Sequence, residues 1–309
     1  MEREELMKFF PERVRGVIGE QKIIYREIRE IRFRVNRPVA MNIGGREVFL
    51  MDGNRPYIAD RELLKQMLEY MSGFSVYAFE EEIRQGYITL TGGHRVGISG
   101  KPVVRGGEIT HFHYISGFHF RISHEVRGAG KALLPYLYEG GTLCNTLILS
   151  PPGFGKTTVL RDLVRLISDG NEYGRGMNVG VVDERSEIAG CYLGTPQNDV
   201  GMRTDLLDDC PKAQGMQMLL RAMGPQVIAV DELGGKEDVQ AVLKTSRCGI
   251  KMVMTAHGAD INELRQKKDM EELFQNHVFD RFIILNAPMG EKQEFHIYDG
   301  NFRKIGERS

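Results

Sequence analysis

The sequence has no long apolar run, almost no net charge and few cysteines, and each shortage excludes a class of protein. Its longest apolar stretches, such as 227–230 and 282–285, are far shorter than the roughly 20 residues that a membrane helix needs. Lys plus Arg number 41 and Asp plus Glu 42, so a formal net charge of -1 gives no bulk attraction to nucleic acid or to an anionic membrane. The 4 cysteines fit neither a paired metal-ligand spacing nor a disulfide framework.

The start of the chain also lacks the features of an export signal. Its first ten residues are acidic and of mixed charge, without the basic start and apolar centre of a secretory signal. We therefore expect a cytoplasmic protein that reaches a membrane only through a protein partner. With 41% hydrophobic and 27% charged residues, the composition is that of an ordinary globular protein.

Length and apolar pattern predict two domains. The chain has 309 residues, and at roughly 150 residues per domain this length favours two. Before residue 128, short strand and helix patterns follow one another without regular alternation, which indicates a smaller α+β domain over residues 1–127. After it, apolar runs alternate with helical segments, which predicts an α/β domain with a mainly parallel sheet over residues 128–309.

A glycine-rich loop follows the apolar run 147–149 and leads into an amphipathic helix, as in a phosphate-binding P-loop. Glycines let the backbone approach phosphate oxygens, and the helix N-terminus adds a positive dipole. Lys156 is expected to reach the β and γ phosphates of ATP, and Thr157 to bind Mg²⁺. Ser150 replaces the first glycine of the pattern, which would weaken binding if that position needs a positive φ. The predicted nucleotide-binding residues are Pro152, Gly153, Phe154, Gly155, Lys156, Thr157 and Thr158. The alternative is a glycine-rich turn that happens to precede a helix.

Three further apolar runs end in polar side chains. These residues are Asp231 and Glu232, Asp183 and Glu184, and Thr255 to His257. Because parallel strands end at one edge of a sheet, we expect the four strand ends to form one site. Asp231 is the expected Mg²⁺ ligand and Glu232 the expected base for the attacking water. Taken singly, Asp183 and Glu184 fit a solvated turn about as well as a site, and His257 fits a loop histidine slightly better than a site residue.

These strand ends, in this order, resemble the secretion ATPases of type II and type IV systems, which have a RecA-like P-loop core. The chain more closely resembles the stage III sporulation AA family of endospore-forming bacteria, through the motifs at 92–97, 182–190, 209–215 and 219–232. That resemblance implies an ATP-hydrolysing motor that forms a ring, a hexamer, on the mother-cell side of the forespore membrane. There it would energise or assemble a sporulation channel, docked to a membrane protein of that channel.

The resemblance also implies roles for individual residues. Lys156 and Thr157 would hold ATP and Mg²⁺, while Asp183 and Glu184 would form an acidic box in which Asp183 is a further metal ligand. Glu232 would be the Walker B acid and His257 a sensor of nucleotide. Whether Glu232 or Glu184 is the general base stays open.

The resemblance further implies that an arginine from the first domain of a neighbouring subunit completes the site. Arg121 and Arg95 rank first, each on an expected strand. For either arginine taken alone, a surface ion pair is the favoured interpretation, whereas together they fit the resemblance. Two other functions are considered. One is a RecA-like ATPase on single-stranded nucleic acid, for which we find no appended basic or aromatic stretch. The other is a scaffold that binds nucleotide without hydrolysis, against which the Asp231–Glu232 pair argues.

Overall fold

The computed structural model describes residues 3–21, 23–73, 79–287 and 294–308. The chain divides into two compact units. The first comprises residues 1–124 together with the short segment 190–197, and the second comprises residues 125–189 and 198–309. Each unit has its own hydrophobic core.

The first unit consists of a sheet with helices on one face. Its helices are α1 (Arg3–Met7), α2 (Glu12–Glu20), α3 (Arg61–Met71) and α4 (Glu80–Gln85), with a 3-10 turn at Tyr25–Glu27. Its strands are β1 (Ile28–Arg34), β2 (Arg37–Pro38), β3 (Ala40–Ile43), β4 (Arg46–Phe49), β5 (Met51–Asp52), β6 (Arg55–Pro56), β7 (Ile58–Ala59), β8 (Tyr87–Leu90), β9 (His94–Arg105) and β10 (Glu108–Arg121).

Six of these strands form one antiparallel sheet in the order β4-β3-β1-β10-β9-β8. Strand β1 alternates buried Ile31 and Phe33 with the more exposed Arg32 and Arg34, as a strand with one covered face does. The buried side chains pack with apolar residues of α1 to α4 into one core. The opposite face of the sheet therefore carries the polar side chains.

The second unit is an α/β structure. Its helices are α5 (Leu134–Leu137), α6 (Lys156–Asp169), α7 (Lys212–Ala222), α8 (Gly235–Ser246), α9 (Ile261–Gln266) and α10 (Glu271–Gln275), with 3-10 turns at Lys131–Leu133 and Lys268–Met270. Its strands are β11 (Tyr138–Glu139), β12 (Thr142–Leu143), β13 (Thr146–Ser150), β14 (Gly170–Asn171), β15 (Gly174–Arg175), β16 (Val179–Asp183), β17 (Thr204–Asp208), β18 (Val227–Val230), β19 (Lys251–His257), β20 (Arg281–Leu285), β21 (Phe295–Asp299) and β22 (Lys304–Arg308).

Eight of these strands form the main sheet, in the order β17-β16-β18-β19-β13-β20-β21-β22. The pairs from β17 to β20 are all parallel, and β21 and β22 are added antiparallel. The prediction of an α/β fold with a largely parallel sheet is confirmed. The sequence did not predict β17, β21 and β22, because their apolar residues are few and interspersed with charged ones.

The topology brings the ends of four central strands together. Strand β19 lies between β13 and β18, and β16 lies on the far side of β18. Since these strands are parallel, the residues that follow them lie along one edge of the sheet. Within the described ranges, no helix is long and apolar enough to cross a membrane.

Candidate functional site

The loop between β13 and α6 curls through two glycines in the left-handed region. Gly153 has φ +83 and Gly155 has φ +82, and α6 begins immediately afterwards at Lys156. A Cβ on Gly153 would meet no heavy atom within 4 Å, so the left-handed φ, rather than crowding, favours glycine there. Pro152 and Gly153 are exposed, and Phe154 is half-buried. The loop thus leaves backbone accessible directly in front of a helix N-terminus.

The backbone at Ser150 does not have the positive φ that would make a serine unfavourable at this position of the loop. This serine is the buried last residue of β13 and is not among the residues with a positive φ in the described part of the chain. Its hydroxyl donates to the carbonyl oxygen of Pro151 at 2.8 Å. A serine is therefore compatible with this backbone.

Lys156 is buried, and its ammonium group is held by the strand ends. Nζ donates to the carbonyl oxygen of Ser150 at 3.4 Å and lies 3.1 Å from Nδ1 of His257. The register of β13 with β19 pairs Ser150 with His257 and so brings the histidine within reach. Burial lowers the pKa of Lys156 from its usual value, while the carboxylates of Glu232 and Asp231 oppose this shift.

The same contact assigns the tautomer of His257. An ammonium group only donates, so Nδ1 accepts from Lys156 and the ring proton lies on Nε2. That nitrogen is 2.9 Å from Oε1 of Glu232. Lys156, His257 and Glu232 therefore form a continuous hydrogen-bonded chain across the ends of α6, β19 and β18.

Asp231 is held by two hydroxyl groups. Oγ1 of Thr157, in the first turn of α6, donates to Oδ2 of Asp231 at 2.5 Å. Oγ1 of Thr255 donates to Oδ1 of the same carboxylate and accepts the backbone N–H of Glu232 at 2.8 Å. The predicted metal residues Thr157 and Asp231 are thus in direct contact.

Glu232 follows Asp231 in a strained backbone conformation. Its φ is +56, in a region that costs a non-glycine residue about 1 kcal/mol or more. Besides the contact with His257, its Oε2 lies 2.8 Å from Nη1 of Arg185. Arg185 is largely exposed, so this ion pair is weak and exchangeable.

Asp183 is a buried acceptor for the loop that follows it. Its oxygens accept the backbone N–H groups of Glu187 at 2.8 Å, Ile188 at 2.9 Å and Ala189 at 2.8 Å. Burial raises the pKa of Asp183 to about 6, although these three bonds oppose the shift. Such bonding favours a loop-anchoring role, and the metal role of Asp183 stays a prediction.

Arg161 holds the same loop from its carbonyl side. It lies one helical turn after Thr157 on α6 and is buried. Its Nη2 donates to the carbonyl oxygen of Glu187 at 2.6 Å, and its Nε donates to that of Ile188. The loop 187–189 is thereby fixed to both β16 and the helix that begins at the glycine loop.

Glu184 is ion-paired with Lys212, the first residue of α7. The lysine side chain is 11% exposed and that of Glu184 36%, so the pair is partly shielded from solvent. The four strand ends thus place Lys156, Thr157, Glu184, Asp231, Glu232 and His257 along one edge of the sheet.

The two predicted arginines lie in the first unit, opposite each other. Arg121 of β10 pairs in register with Arg95 of β9, which places both side chains on the polar face of the sheet. The guanidinium carbon of Arg95 lies 3.7 Å from the centre of the Tyr87 ring. Register pairs Arg121 also with Glu30.

The donor set suits a metal that also binds phosphate. Among the residues that the structure describes, no group of three or more His, Cys, Asp and Glu could hold a metal alone. Mg²⁺ usually keeps several water ligands and binds substrate phosphates, so it needs few ligands from the protein. One hydroxyl and one carboxylate are therefore a suitable set. Thr157 and Asp231 therefore fit such an ion, in front of a loop with accessible backbone.

Comparison with known families assigns the chain. The family model described as "Sporulation stage III, protein AA" matches residues 1–305. The chain belongs to this sporulation family. Among curated proteins it is 40% identical over 296 residues to "Stage III sporulation protein AA" of Bacillus subtilis (strain 168), covering 96% of this chain and 94% of the relative. The family resemblance seen in the sequence is therefore confirmed.

Two solved ATPase and pilus-motor structures share the fold of this sporulation-family chain. The ATPase DotB of Legionella pneumophila superposes with a TM-score of 0.61 at 13% identity, over 89% of this chain and 78% of that one. The pilus retraction motor PilT with bound ADP gives a TM-score of 0.58 at 15% identity, over 93% and 81%. At such identities the likeness concerns the fold alone.

Sequence reasoning missed two residues that hold the site together, Arg161 and Lys212, and it named Thr255 at a strand end without assigning a role to its hydroxyl. For Thr255 a signal existed, since it ends an apolar strand beside three others. Arg161 is four residues after Thr157, a spacing that places both on one helix face. Lys212 had no signal, because its partner Glu184 is distant in sequence.

Proposed function

We propose that this chain is a Mg²⁺-dependent ATPase and that the site along the strand ends hydrolyses ATP. The observation that carries the proposal is the contact between Thr157 and Asp231 beside the ammonium group of Lys156. A hydroxyl, a carboxylate and a buried ammonium group, in front of a glycine loop, are the set that nucleotide triphosphates require.

The P-loop residues would bind the phosphates. Gly153 and Gly155 let backbone N–H groups approach them, and the N-terminus of α6 adds its dipole. Lys156 would exchange its bond with His257 for phosphate oxygens, which favours its charged form. Because His257 then loses its donor at Nδ1, this exchange suits it as a sensor of bound nucleotide.

Thr157 and Asp231 would hold the metal. When bound, Mg²⁺ neutralises charge on the β and γ phosphates. Thr255 would orient Asp231 for this purpose, since its hydroxyl donates to the carboxylate. Asp183 would act mainly through the loop that it anchors.

Glu232 would be the general base. It stands directly after the metal carboxylate, and its pairing with exposed Arg185 is easily exchanged. Glu184, the other candidate, is paired with the more buried Lys212. Glu232 would polarise the attacking water while His257 fixes its carboxylate.

We propose further that the chain works as a ring, a hexamer, on the mother-cell side of the forespore membrane. It would dock to a membrane protein of the sporulation channel and energise or assemble that channel. The support is the sporulation family together with a fold shared with the pilus retraction motor PilT and the ATPase DotB. In this proposal residues 1–127 are an N-terminal α+β domain and residues 128–309 a RecA-like ATPase domain.

Arg121 and Arg95 would complete the site from a neighbouring subunit, where an arginine over the γ-phosphate is worth about 10³ to 10⁵ in rate. Mixing inactive Lys156→Ala protein with inactive Arg121→Ala or Arg95→Ala protein should then restore hydrolysis. The first partner supplies the arginines and the second the P-loop. Mixtures that stay as inactive as their components would return both arginines to structural roles.

Nucleotide binding tests the site itself. A fluorescent ATP analogue should bind wild type and Glu232→Gln with similar affinity, because in this proposal the Glu232 carboxylate contacts the attacking water and the side chains of His257 and Arg185 rather than the phosphates. Lys156→Ala should bind roughly tenfold or more weakly, since it loses a charged phosphate contact. Exposed Lys244→Ala is the matched control. Equal affinity of Lys156→Ala and the control would contradict the phosphate role.

A further inference from the structure

A small cavity lies between the acidic strand ends and the start of α7. Its volume of about 10 Å³ is enough for a single water molecule. Five carboxylates line it, among them Glu184, Asp231 and Glu232, against the two cations Arg185 and Lys212. The lining therefore has a formal charge of −3 before any nucleotide enters.

The two cations of this lining differ in how firmly they are held. Arg185 is 61% exposed, so its pairing with Glu232 exchanges readily with water. Lys212 is 11% exposed and paired with Glu184, and its position at the first residue of α7 is fixed by that helix. Breaking this second pair would leave a shielded ammonium group without a counter-ion, which costs free energy.

We propose that Lys212 is a positioning residue of this site, which locks Glu184 as a fixed counter-ion and leaves Glu232 as the sole general base. The inference rests on the proposed ATPase function. Lys212 also supplies, from within the same chain, positive charge on the side of the cavity where the acids would otherwise repel an incoming triphosphate.

The locked pair decides between the two candidate bases. The carboxylate of Glu184 is already held by a shielded lysine, so it is less free to contact an attacking water. The carboxylate of Glu232 contacts an exposed arginine, whose pairing exchanges readily with water, and the ring of His257. Glu232 and Glu184 should therefore respond very differently to amide substitution.

Steady-state hydrolysis and nucleotide binding by the full chain test this assignment. Glu232→Gln should lose about 10² to 10⁴ in kcat, whereas Glu184→Gln should stay within about tenfold of wild type. Lys212→Met should lose about 10- to 100-fold, as for groups that position catalytic ones, and Lys212→Arg should retain most activity. Exposed Lys244→Met is the matched control.

A double variant separates the charge role from a packing role. In Lys212→Met, the carboxylate of Glu184 is unpaired, so KM for ATP should rise as kcat falls. Lys212→Met/Glu184→Gln removes that charge and should recover KM and most of kcat relative to Lys212→Met. Melting temperatures measured in parallel show that each variant is folded.

The outcomes distinguish this inference from the function on which it rests. Wild type that binds ATP without hydrolysing it would contradict both. Active wild type with Lys212→Met equal to Lys244→Met, or with Glu184→Gln as inactive as Glu232→Gln, would overturn only the role of Lys212. Loss of kcat in Lys212→Met that the double variant fails to recover would assign the lysine to packing.

Discussion

The burial of Asp183 leads to a pH prediction whose sign separates two roles for this residue. In the fold, Asp183 is 2% exposed, accepts three backbone N–H groups and has its pKa raised from 3.8 to about 6. A buried loop anchor has such a raised pKa because burial disfavours the charged form. A solvated carboxylate that binds a metal would not have its pKa raised by burial.

Because folding raises the pKa of Asp183, the free energy of unfolding falls as pH rises from 3.8 through about 6. Between pH 3.8 and about 6 the folded chain binds a proton at Asp183 more readily than the unfolded chain does, so the stabilisation is present at low pH and lost on deprotonation. The full shift corresponds to about 3 kcal/mol, of which about 1 kcal/mol falls between pH 5 and pH 7. Asp183→Asn cannot titrate and lacks this contribution.

Thermal unfolding followed by circular dichroism, in buffer with a chelator, measures the effect. The chain has no tryptophan, so fluorescence is the weaker probe. The melting temperature of wild type minus that of Asp183→Asn should be about 2–4 °C smaller at pH 7 than at pH 5. A difference that is equal at both pH values, or larger at pH 7, would refute the burial argument.

Three further predictions concern the site and its recruitment. Thr255→Val should lower kcat and cost about 1–3 kcal/mol of stability, because it leaves the N–H of Glu232 without its acceptor. The control in melting and turnover assays is Thr245→Val, at a buried position. This control loses only a bond to the carbonyl oxygen of Ala241. His257→Ala should bind a fluorescent ATP analogue at least as tightly as wild type and hydrolyse ATP more slowly, since Lys156 no longer exchanges a bond on binding; weaker binding would contradict this. In flotation assays the chain should not bind partner-free liposomes tightly, and tight binding would contradict recruitment by a protein.

The central strands of the second unit were predictable because each is a short, nearly continuous apolar run. Such runs are typical of strands buried on both faces of a parallel sheet. The convergence of Lys156, Asp231 and His257 followed from that topology alone. Strand β17 was not predicted, because its only apolar residues are Leu206 and Leu207, and an aspartate lies on each side of them.

The contacts that organise the site were not predictable from local pattern. The resemblance implied that Asp183 is a metal ligand, which stays a prediction, but nothing in the sequence indicated that its oxygens accept the backbone N–H groups of its own loop. The pairing of Lys212 with Glu184 joins residues 28 positions apart. No sequence feature marks the segment 190–197 as part of the first unit, because its contacts, such as Tyr192 with Phe79, are long-range.

The most direct test of ATP hydrolysis at this site is phosphate release by the full chain with and without Mg²⁺, measured for wild type, Lys156→Ala and Glu232→Gln at saturating ATP. We expect Mg²⁺-dependent turnover by wild type, loss of about 10² to 10⁴ in Glu232→Gln, and low activity in Lys156→Ala. Exposed Lys236→Ala should behave as wild type. Turnover by Glu232→Gln at the wild-type rate, or wild-type turnover that a chelator leaves unchanged, would contradict the proposed site.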